Sequence, residues 1–245
     1  MFVSIDALND FLKKSYEGST WSLSRSDMDA YHSRLSTLTY GEIKESSVEL
    51  ILDWLQLDEN DVVYDLGCGL GRFVAHIYLR SKARAVYGVE LAESRYRQAQ
   101  RMLTVLKEIP DVHEGREIEV IRGDIAEVNC ADATVIYMCS TCFSVALLNE
   151  IAANLQAQAD IGLRVLTLKR FPTPGRFRLL AQREMEMTWS DNSTVYLYQL
   201  ETEPPAPVHS VLPEAGQSLL LSDEDSWDSV EIDIDSFDWD DDSEA

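Results

Sequence analysis

The fold of this 245-residue chain is decided by one stretch, Val62-Val63-Tyr64-Asp65-Leu66-Gly67-Cys68-Gly69-Leu70-Gly71. It begins as an apolar run, turns through glycines at every second position, and continues into a segment with helical spacing. A strand that turns through glycines into a helix presents backbone N–H groups and a positive helix end to a polar or anionic ligand. Glycine suits such a turn because it adopts positive φ and lets a ligand approach the backbone. The stretch therefore predicts a nucleotide-type binding loop.

Four further short apolar runs follow this loop and predict strands. They cover residues 85–89, 118–121, 134–138 and 164–168. Segments with helical character separate them, at about 70–81, 94–109 and 146–157. Short, continuously apolar strands that alternate with helices indicate a parallel sheet covered on both faces. Two extended segments, 177–189 and 193–200, close the domain, and Asp191-Asn192 between them predicts a hairpin turn.

The first 60 residues predict a helical extension. Apolar residues recur there at helical spacing in two groups, Ile5, Leu8, Phe11 and Leu12, and then Val48, Ile51, Leu52 and Leu55. Ser46 or Ser47 is expected to cap the second helix. The chain is thus predicted to be an α/β protein with a seven-stranded, Rossmann-like sheet. A helical N-terminal extension occupies residues 1–60, and the main domain, residues 61–202, ends in a C-terminal hairpin.

Charge is unevenly distributed along the sequence. The net charge is −22, and 14 of the 43 Asp and Glu residues lie in residues 203–245, which hold no Lys or Arg. Residues 1–202 therefore carry only −8. The Ser-, Asp- and Glu-rich end cannot bury enough apolar area to offset its ordering entropy, so a disordered acidic tail is predicted. Direct nucleic-acid binding is not expected, because it needs a basic face.

The sequence also limits the compartment and the metal chemistry. It holds no run of about 20 apolar residues that would predict a membrane span, and its N-terminus lacks the pattern of a signal peptide. Four cysteines fit a reduced compartment. We therefore expect an intracellular monomer, cytoplasmic or nuclear, with no membrane association. Cys139-x-x-Cys142 has the spacing of half a zinc site, but no second pair completes it, and no metal site is predicted.

The glycine spacing distinguishes two classes of nucleotide-type loop. The dinucleotide fingerprint requires GxGxxG, whereas this chain has GxGxG followed by Arg72. An acid, Asp65, precedes the glycines, and (D/E)xGxGxG resembles the first motif of class I S-adenosylmethionine-dependent methyltransferases. The resemblance implies S-adenosylmethionine as the cofactor, with Asp65 orienting its methionine part. The loop residues implied to hold that part are Gly67, Cys68, Gly69 and Gly71.

Acids at the ends of the next two strands fit the same cofactor. Glu90 ends the second predicted strand, 19 residues after Gly71. An acid at this place is expected to hold the ribose hydroxyls through two hydrogen bonds. Asp124 follows the third strand, where it is expected near the adenine amino group. Three acids after three consecutive strands favour a cofactor site over solvated surface.

A narrower resemblance begins ahead of the loop. Tyr40-Gly41-Glu42 resembles the YGE segment of the disruptor-of-telomeric-silencing family of lysine methyltransferases. Tyr87-Gly88-Val89-Glu90 and Leu168-Lys169-Arg170-Phe171 also resemble segments of that family, and the similarity covers about residues 35–172. It implies that Tyr40 and Glu42 belong to a lid over the active site, with Glu42 near the amino-acid end of the cofactor.

One segment departs from the family pattern. The family's fourth strand ends in an Asn-rich segment that lines a lysine channel, and this chain has Cys139-Ser140-Thr141-Cys142-Phe143 instead. Phe143 matches, as a channel wall for the apolar stem of a lysine. The catalytic candidates are therefore Tyr40 and Phe143. Tyr137 either lines the channel or belongs to the core.

The predicted function is methyl transfer from S-adenosylmethionine to a protein side chain, with lysine favoured. Two alternatives stay open: another acceptor, such as a small molecule or a different protein side chain, and a catalytically inactive cofactor-binding domain. In the second alternative the acidic tail acts as an interaction module. Aromatic residues interleave with acids in this tail, as in Phe237-Asp238-Trp239-Asp240, which favours docking of a basic protein substrate.

Overall fold

The structure is a computed structural model that describes residues 5–15, 23–33, 41–107, 109 and 115–203. It contains a seven-stranded sheet with the order β3-β2-β1-β4-β5-β7-β6. From β1 to β7 the strands span Val62–Leu66, Ala85–Glu90, Glu117–Arg122, Val135–Met138, Arg164–Thr167, Phe177–Met187 and Ser190–Leu200. The first five strands are parallel, while β7 runs antiparallel to β5 and forms a hairpin with β6. The predicted α/β class is confirmed.

Six helices accompany the sheet in the described part of the chain. From α1 to α6 they span Ile5–Ser15, Arg25–Ser33, Glu45–Leu55, Arg72–Arg80, Glu93–Leu106 and Val145–Gln158. Residues of α1, α3, α4 and α5 pack with strand residues in one apolar core, and residues of α6 pack with strand residues in the second. Every residue of β1 is buried, as expected for a strand covered on both faces. Within the described residues, each helix is too short or too polar to cross a bilayer.

The sheet order places a ligand crevice at the end of β1. The chain winds from β1 to β3 in one direction and from β4 to β5 in the other, so it reverses between β1 and β4. Open α/β sheets bind ligands at the carboxyl ends of strands beside such a reversal. The glycine loop follows β1 at this place, and the N–H groups of Gly67 and Cys68 donate to the Val89 carbonyl at 2.9 and 3.0 Å. These two bonds tie the loop to the end of β2.

The expected cap of α3 is wrong. Lys44 occupies the N-cap position in an extended conformation, and its side chain makes no capping hydrogen bond. Ser46 and Ser47 lie inside the first turn and contact β6 instead. The Ser47 hydroxyl accepts from the Glu186 N–H at 2.8 Å, and Ser46 donates to the Glu186 carboxylate at 3.1 Å. The hydroxyls are therefore used to fasten the helix to the sheet edge.

The hairpin turn also differs from the prediction. It lies at Thr188 and Trp189, and Asp191-Asn192 belongs to β7. Contacts with the segment before α3 explain this position. The Thr188 N–H donates to the Glu42 carbonyl at 2.8 Å, and Asp191 forms a 2.8 Å ion pair with Lys44.

Two predicted features fall outside the described residues. One is the catalytic candidate Tyr40, and the other is the acidic tail from residue 204 onward. Conversely, α2 is a helix that the apolar spacing did not single out. Its start is marked by a reciprocal pair: the Ser24 hydroxyl accepts from the Asp27 N–H, and the Asp27 carboxylate accepts from the Ser24 N–H, both at 3.2 Å. This is the hydrogen-bond pattern of a capping box.

Candidate cofactor-binding site

A cavity of about 140 Å³ opens beside the glycine loop. It is bordered by the end of β1, the start of α4 and the segment before α3, with Asp65, Gly67, Gly69, Arg72, Glu42 and Cys139 among its lining residues. Sites for whole small-molecule ligands usually enclose ~300–1,000 Å³. The enclosed space therefore fits one end of an elongated cofactor, with the remainder extending along the strand ends.

Asp65 is the most unusual charged group in this cavity. It is 3% exposed, and none of the described residues donates a hydrogen bond to its Oδ1. Burial raises the pKa of its carboxyl well above the usual range, and the carboxylates of Glu90 and Glu42 raise it further. A carboxyl buried in this way needs a cationic partner in order to ionise. The amino group of the cofactor's methionine part fits this requirement.

The glycines of the loop serve different purposes. Gly67 has a φ of 89°, and a side-chain carbon there would lie 3.3 Å from Cζ of Phe143. The Gly69 N–H donates to Oε2 of Glu90 at 2.9 Å. Gly71 packs the start of α4 against α5, because a carbon added there would lie 2.8 Å from Cε of Met102. Direct cofactor contact by Gly71 stays a prediction.

Cys68 is the remaining loop residue. It is buried, and its Sγ packs against Gly88, where an added side-chain carbon would lie 2.7 Å away. Burial raises the pKa of the thiol well above its usual range, and the Asp65 and Glu90 carboxylates add to the effect. The side chain of Cys68 is therefore a neutral packing group, and its backbone forms the loop.

Glu42 is positioned by the hairpin turn. We name residues 41–44 the lid segment; it runs beside the end of β6, where Ile43 pairs with Met187. The Glu42 N–H donates to the Thr188 hydroxyl at 3.0 Å, and the Glu42 carbonyl accepts from the Thr188 N–H. The Glu42 carboxylate, 13% exposed, lies 3.4 Å from Nε of Arg72. Glu42 and Arg72 therefore form an ion pair where the lid segment borders the cavity. Their opposite charges suit the amino and carboxylate groups of an amino acid.

Glu90 is the last residue of β2 and Asp124 follows the end of the neighbouring β3, as predicted. Glu90 is 1% exposed, and its Oε1 accepts from the Ala92 N–H at 2.8 Å and from the Tyr31 hydroxyl at 2.6 Å. Asp124 is half-buried, and its Oδ1 accepts from the Ala126 N–H at 2.9 Å. The Gly123 N–H donates to the Glu90 carbonyl, which holds the two strand ends together. The ribose and adenine contacts of these acids remain predictions.

Aromatic rings pack on two of the glycines that line the cavity. Phe143 packs against Gly67, and Trp189 packs against Gly41, where an added side-chain carbon would overlap the indole ring. Trp189 is 44% exposed although it is a large apolar residue. Tyr137 lines the cavity, and its ring also stacks on Phe73 with centroids 4.0 Å apart. Tyr137 therefore belongs both to the core and to the cavity wall.

The segment after β4 is held by hydroxyl and thiol contacts. Ser140 is fully buried, and its Oγ lies 2.7 Å from Oγ1 of Thr167 and accepts from two N–H groups after β5. Cys139 donates to the Gly41 carbonyl at 3.6 Å. Burial and then the Asp65 carboxylate raise the pKa of the Cys139 thiol to about 12. Among the described residues no cluster of His, Cys, Asp and Glu is arranged to hold a metal.

Sequence reasoning missed four residues of this site: Tyr31, Arg72, Thr188 and Trp189. The Ser24-x-x-Asp27 spacing was the available signal for α2, and Tyr31 lies one turn after Asp27 on the same helix face. Arg72 was visible as the first helical residue after the loop. Thr188 and Trp189 carried no local signal, because their role depends on a lid segment almost 150 residues earlier.

Comparison with known proteins agrees with this geometry. The family model described as histone methylation protein DOT1 matches residues 20–202. An H3 lysine-79-specific histone-lysine N-methyltransferase of Caenorhabditis elegans is 28% identical over 155 residues, which is 60% of this chain and 16% of that protein. A protein-lysine N-methyltransferase of Saccharolobus islandicus is 27% identical over 164 residues, 65% of this chain and 91% of that protein. The chain thus spans about a sixth of the nematode relative.

A solved structure supports the fold. An RNA methyltransferase from Salinibacter ruber, in complex with S-adenosyl-L-homocysteine, superposes with a TM-score of 0.51 at 23% identity. The match covers 66% of this chain and 95% of that chain. The family match spans both the lid segment and the glycine loop, and the buried Asp65 fits the cofactor that the family uses. The chain belongs to the DOT1 family of histone methylation proteins and is a class I methyltransferase that uses S-adenosylmethionine.

Proposed function

We propose that this protein methylates the amine of a lysine side chain in a protein substrate. The observation that carries the proposal is a pair of rings, Phe143 packed on Gly67 of the glycine loop and Trp189 packed on Gly41 of the lid segment, which we call the aromatic frame. Two relatives named as lysine methyltransferases support the same acceptor. The archaeal relative is the more informative, because the alignment covers 91% of its length.

The aromatic frame suits both charge states of a lysine. An incoming ammonium is attracted to the faces of aromatic rings. Apolar surroundings then disfavour the charged form and lower the pKa of the amine, which must lose its proton to become nucleophilic. S-Adenosylmethionine supplies an activated methyl group when bound. Phe143 and Trp189 would therefore select a long apolar stem and favour its neutral amine.

The nearby cysteine and tyrosine do not act as bases in this proposal. Burial keeps the Cys139 thiol, with a pKa of about 12, protonated at neutral pH, and it serves as a donor to the lid segment. Burial likewise raises the pKa of Tyr137 well above its usual range. The contribution of the protein is alignment of the two reactants and exclusion of water, which accounts for much of the acceleration available in such a transfer.

The segment after β4 limits which side chains can contact a substrate. Ser140 lies in the segment that is Asn-rich in related enzymes, and here its hydroxyl binds the residues at and after the end of β5. It is fully buried and does not face a substrate. Recognition of the acceptor would then depend on the aromatic frame and on surfaces outside the cavity. We include the acidic tail among these surfaces, as a docking segment for a basic protein.

Tritium-methyl labelling of a cell extract tests the acceptor class. Wild-type protein should label protease-sensitive material that yields methyl-lysine on hydrolysis, and Gly67→Arg should label nothing. Gly162→Arg is the matched control: Gly162 also has a positive φ, of 96°, but a side chain there meets open space. Label in nuclease-sensitive or small-molecule fractions would contradict lysine methylation. Absence of label with intact cofactor binding would indicate an inactive domain.

A chain ending at residue 203 tests the tail. It should bind S-adenosylmethionine as tightly as the full chain and show a higher KM for the protein acceptor identified by labelling. The reason is that the truncation removes 13 carboxylates, which attract a basic protein, and keeps every described residue that lines the cavity. An unchanged KM at low ionic strength would exclude a docking role.

A further inference from the structure

Tyr31, in α2, is hydrogen-bonded to Glu90, the acid that is expected to hold the cofactor's ribose. The Tyr31 hydroxyl donates to Oε1 of Glu90 at 2.6 Å, across 59 positions of sequence. The same hydroxyl accepts from Nη1 of Arg95 at 3.0 Å, and the Arg95 guanidinium lies 5.4 Å from the centre of the Tyr31 ring. Burial first, and then the Glu90 carboxylate, raise the pKa of Tyr31 far above its usual range, so the hydroxyl keeps its proton.

A second contact fastens α2 over this position. Asp27, one turn before Tyr31, is 3% exposed although it is an acid. Its carboxylate accepts from the N–H groups of Glu93 and Ser94 at 2.7 and 3.4 Å. Both groups belong to the first turn of α5, which an acid stabilises by pairing with free N–H groups. The helix that carries Tyr31 is therefore docked specifically beside Glu90.

The acceptor sites on Glu90 are nearly filled. An ionised carboxylate offers about four lone-pair positions, two on each oxygen. Oε1 accepts from Ala92 and Tyr31, and Oε2 accepts from Gly69. Bidentate recognition of a ribose needs two open positions, and the contacts of the described residues leave one. Ala92 and Gly69 contribute backbone N–H groups of the site itself, so Tyr31 is the partner that can leave.

We propose that the Tyr31 hydroxyl competes with a ribose hydroxyl of the cofactor for Glu90. In the free protein Tyr31 gives the buried Glu90 carboxylate a third donor, beside the N–H groups of Ala92 and Gly69. When S-adenosylmethionine or S-adenosylhomocysteine binds, the ribose hydroxyl takes over this bond and the anchor of α2 on Glu90 is released. The inference depends on Glu90 being the ribose acid. The affinity for the cofactor would then depend on how stably α2 docks beside Glu90.

Calorimetry on Tyr31→Phe tests the competition. The substitution removes the competing hydroxyl and keeps the ring, so the Kd for S-adenosylhomocysteine should fall roughly three- to tenfold, the scale of one net hydrogen bond. The Kd for its 2′,3′-dideoxy analogue, which lacks the ribose hydroxyls, should not fall. A weaker or unchanged affinity for S-adenosylhomocysteine, or an equal gain for both ligands, would overturn the proposal.

Tyr64→Phe is the matched control. Tyr64 also donates to a carboxylate, that of Asp132 at 2.9 Å, but it does not line the cavity. Its loss should leave both dissociation constants unchanged. Glu90→Gln in the Tyr31→Phe background separates the two assumptions. If this change leaves binding unaltered, the ribose role of Glu90 fails; if it weakens binding while Tyr31→Phe alone gave no gain, only the competition fails.

Hydrogen exchange on the wild-type protein gives a second measurement that does not depend on a variant folding. Backbone amides of residues 25–33 should exchange faster when S-adenosylhomocysteine saturates the site, because α2 loses its bond to Glu90. Amides of α5 should be protected or unchanged under the same conditions. Slower exchange in residues 25–33 would show that α2 closes on the cofactor, and unaltered exchange would show that it is not displaced; either result would overturn the proposal.

Discussion

Cζ of the Phe143 ring lies 3.3 Å from the point that a side-chain carbon on Gly67 would occupy. Gly67 therefore satisfies two demands at once: a φ of 89°, which only glycine adopts readily, and contact with an aromatic ring. The loop that is expected to hold the cofactor and the ring that is expected to face the acceptor share this contact. If these two expectations hold, the cofactor and acceptor sites meet at one backbone position.

Gly67→Ala, compared with Gly162→Ala, should separate the effect of backbone strain on stability from the effect of crowding on cofactor affinity. Positive φ costs an alanine about 1–3 kcal/mol, so the free energy of unfolding should fall by that amount. Crowding against Phe143 should also raise the Kd for S-adenosylmethionine at least about tenfold, which corresponds to ~1.4 kcal/mol. Gly162→Ala, with a φ of 96° and open surroundings, should show the stability loss alone. Urea titration and calorimetry on both variants check this, and equal dissociation constants would contradict it.

Asp65 should lower the stability of the free protein at neutral pH. Its folded-state pKa lies above the unfolded value of about 3.9, so the folded state binds a proton more readily. Stability is then lost as the pH rises from about 3.9 through the raised folded-state pKa. Asp65→Asn should therefore increase the urea midpoint at pH 7 and change it little below pH 4, while weakening cofactor binding.

The exposed Asp160 provides the control for this charge effect. Asp160→Asn should alter neither the urea midpoint nor the affinity at either pH. An Asp65→Asn protein that is less stable than wild type at pH 7 would show that a donor missing from the described contacts satisfies this carboxylate. Calorimetry in two buffers should also show proton release on cofactor binding to wild type, because a cationic ligand favours the ionised carboxylate.

The parallel strands were predictable because burial on both faces leaves a continuous apolar run. The predicted run 164–168 corresponds to Arg164–Thr167, and 85–89 corresponds to Ala85–Glu90. The glycine loop and the acids after β1, β2 and β3 were predictable for a related reason. Their places are fixed by the local strand-to-helix connection, which the sequence itself contains.

The hairpin turn and the tyrosine partner of Glu90 show what local sequence could not predict. Asp191-Asn192 is the stronger turn signal, but the turn lies at Thr188 and Trp189 because these residues contact the lid segment. The partner of Glu90 was equally hidden, since Tyr31 reaches it from a helix that shares no short-range pattern with β2. Contacts between distant segments decide both features, and a single sequence does not reveal such pairings.

Trp189→Ala should affect the acceptor and not the cofactor. The indole is 44% exposed and packs on Gly41, which lines the cavity. Its removal should lower kcat/KM for a peptide or protein acceptor by about two- to fivefold, the scale of a cation–aromatic contact at an exposed site. The Kd for S-adenosylmethionine should stay within twofold. Leu180→Ala, on the same hairpin and 38% exposed, should change neither quantity.

Thr188→Val should weaken the attachment of the lid segment to the hairpin turn without unfolding the hairpin. Valine keeps the shape of threonine but removes the hydroxyl that accepts from the Glu42 N–H at 3.0 Å, while the reverse bond from the Thr188 N–H to the Glu42 carbonyl remains. One hydrogen bond contributes about 0.5–1.5 kcal/mol, so the Kd for S-adenosylmethionine should rise about two- to tenfold. Thr194→Val, on β7 of the same hairpin, is the control. If both variants weaken binding equally, the effect comes from the hairpin as a whole, and Thr188 does not position Glu42.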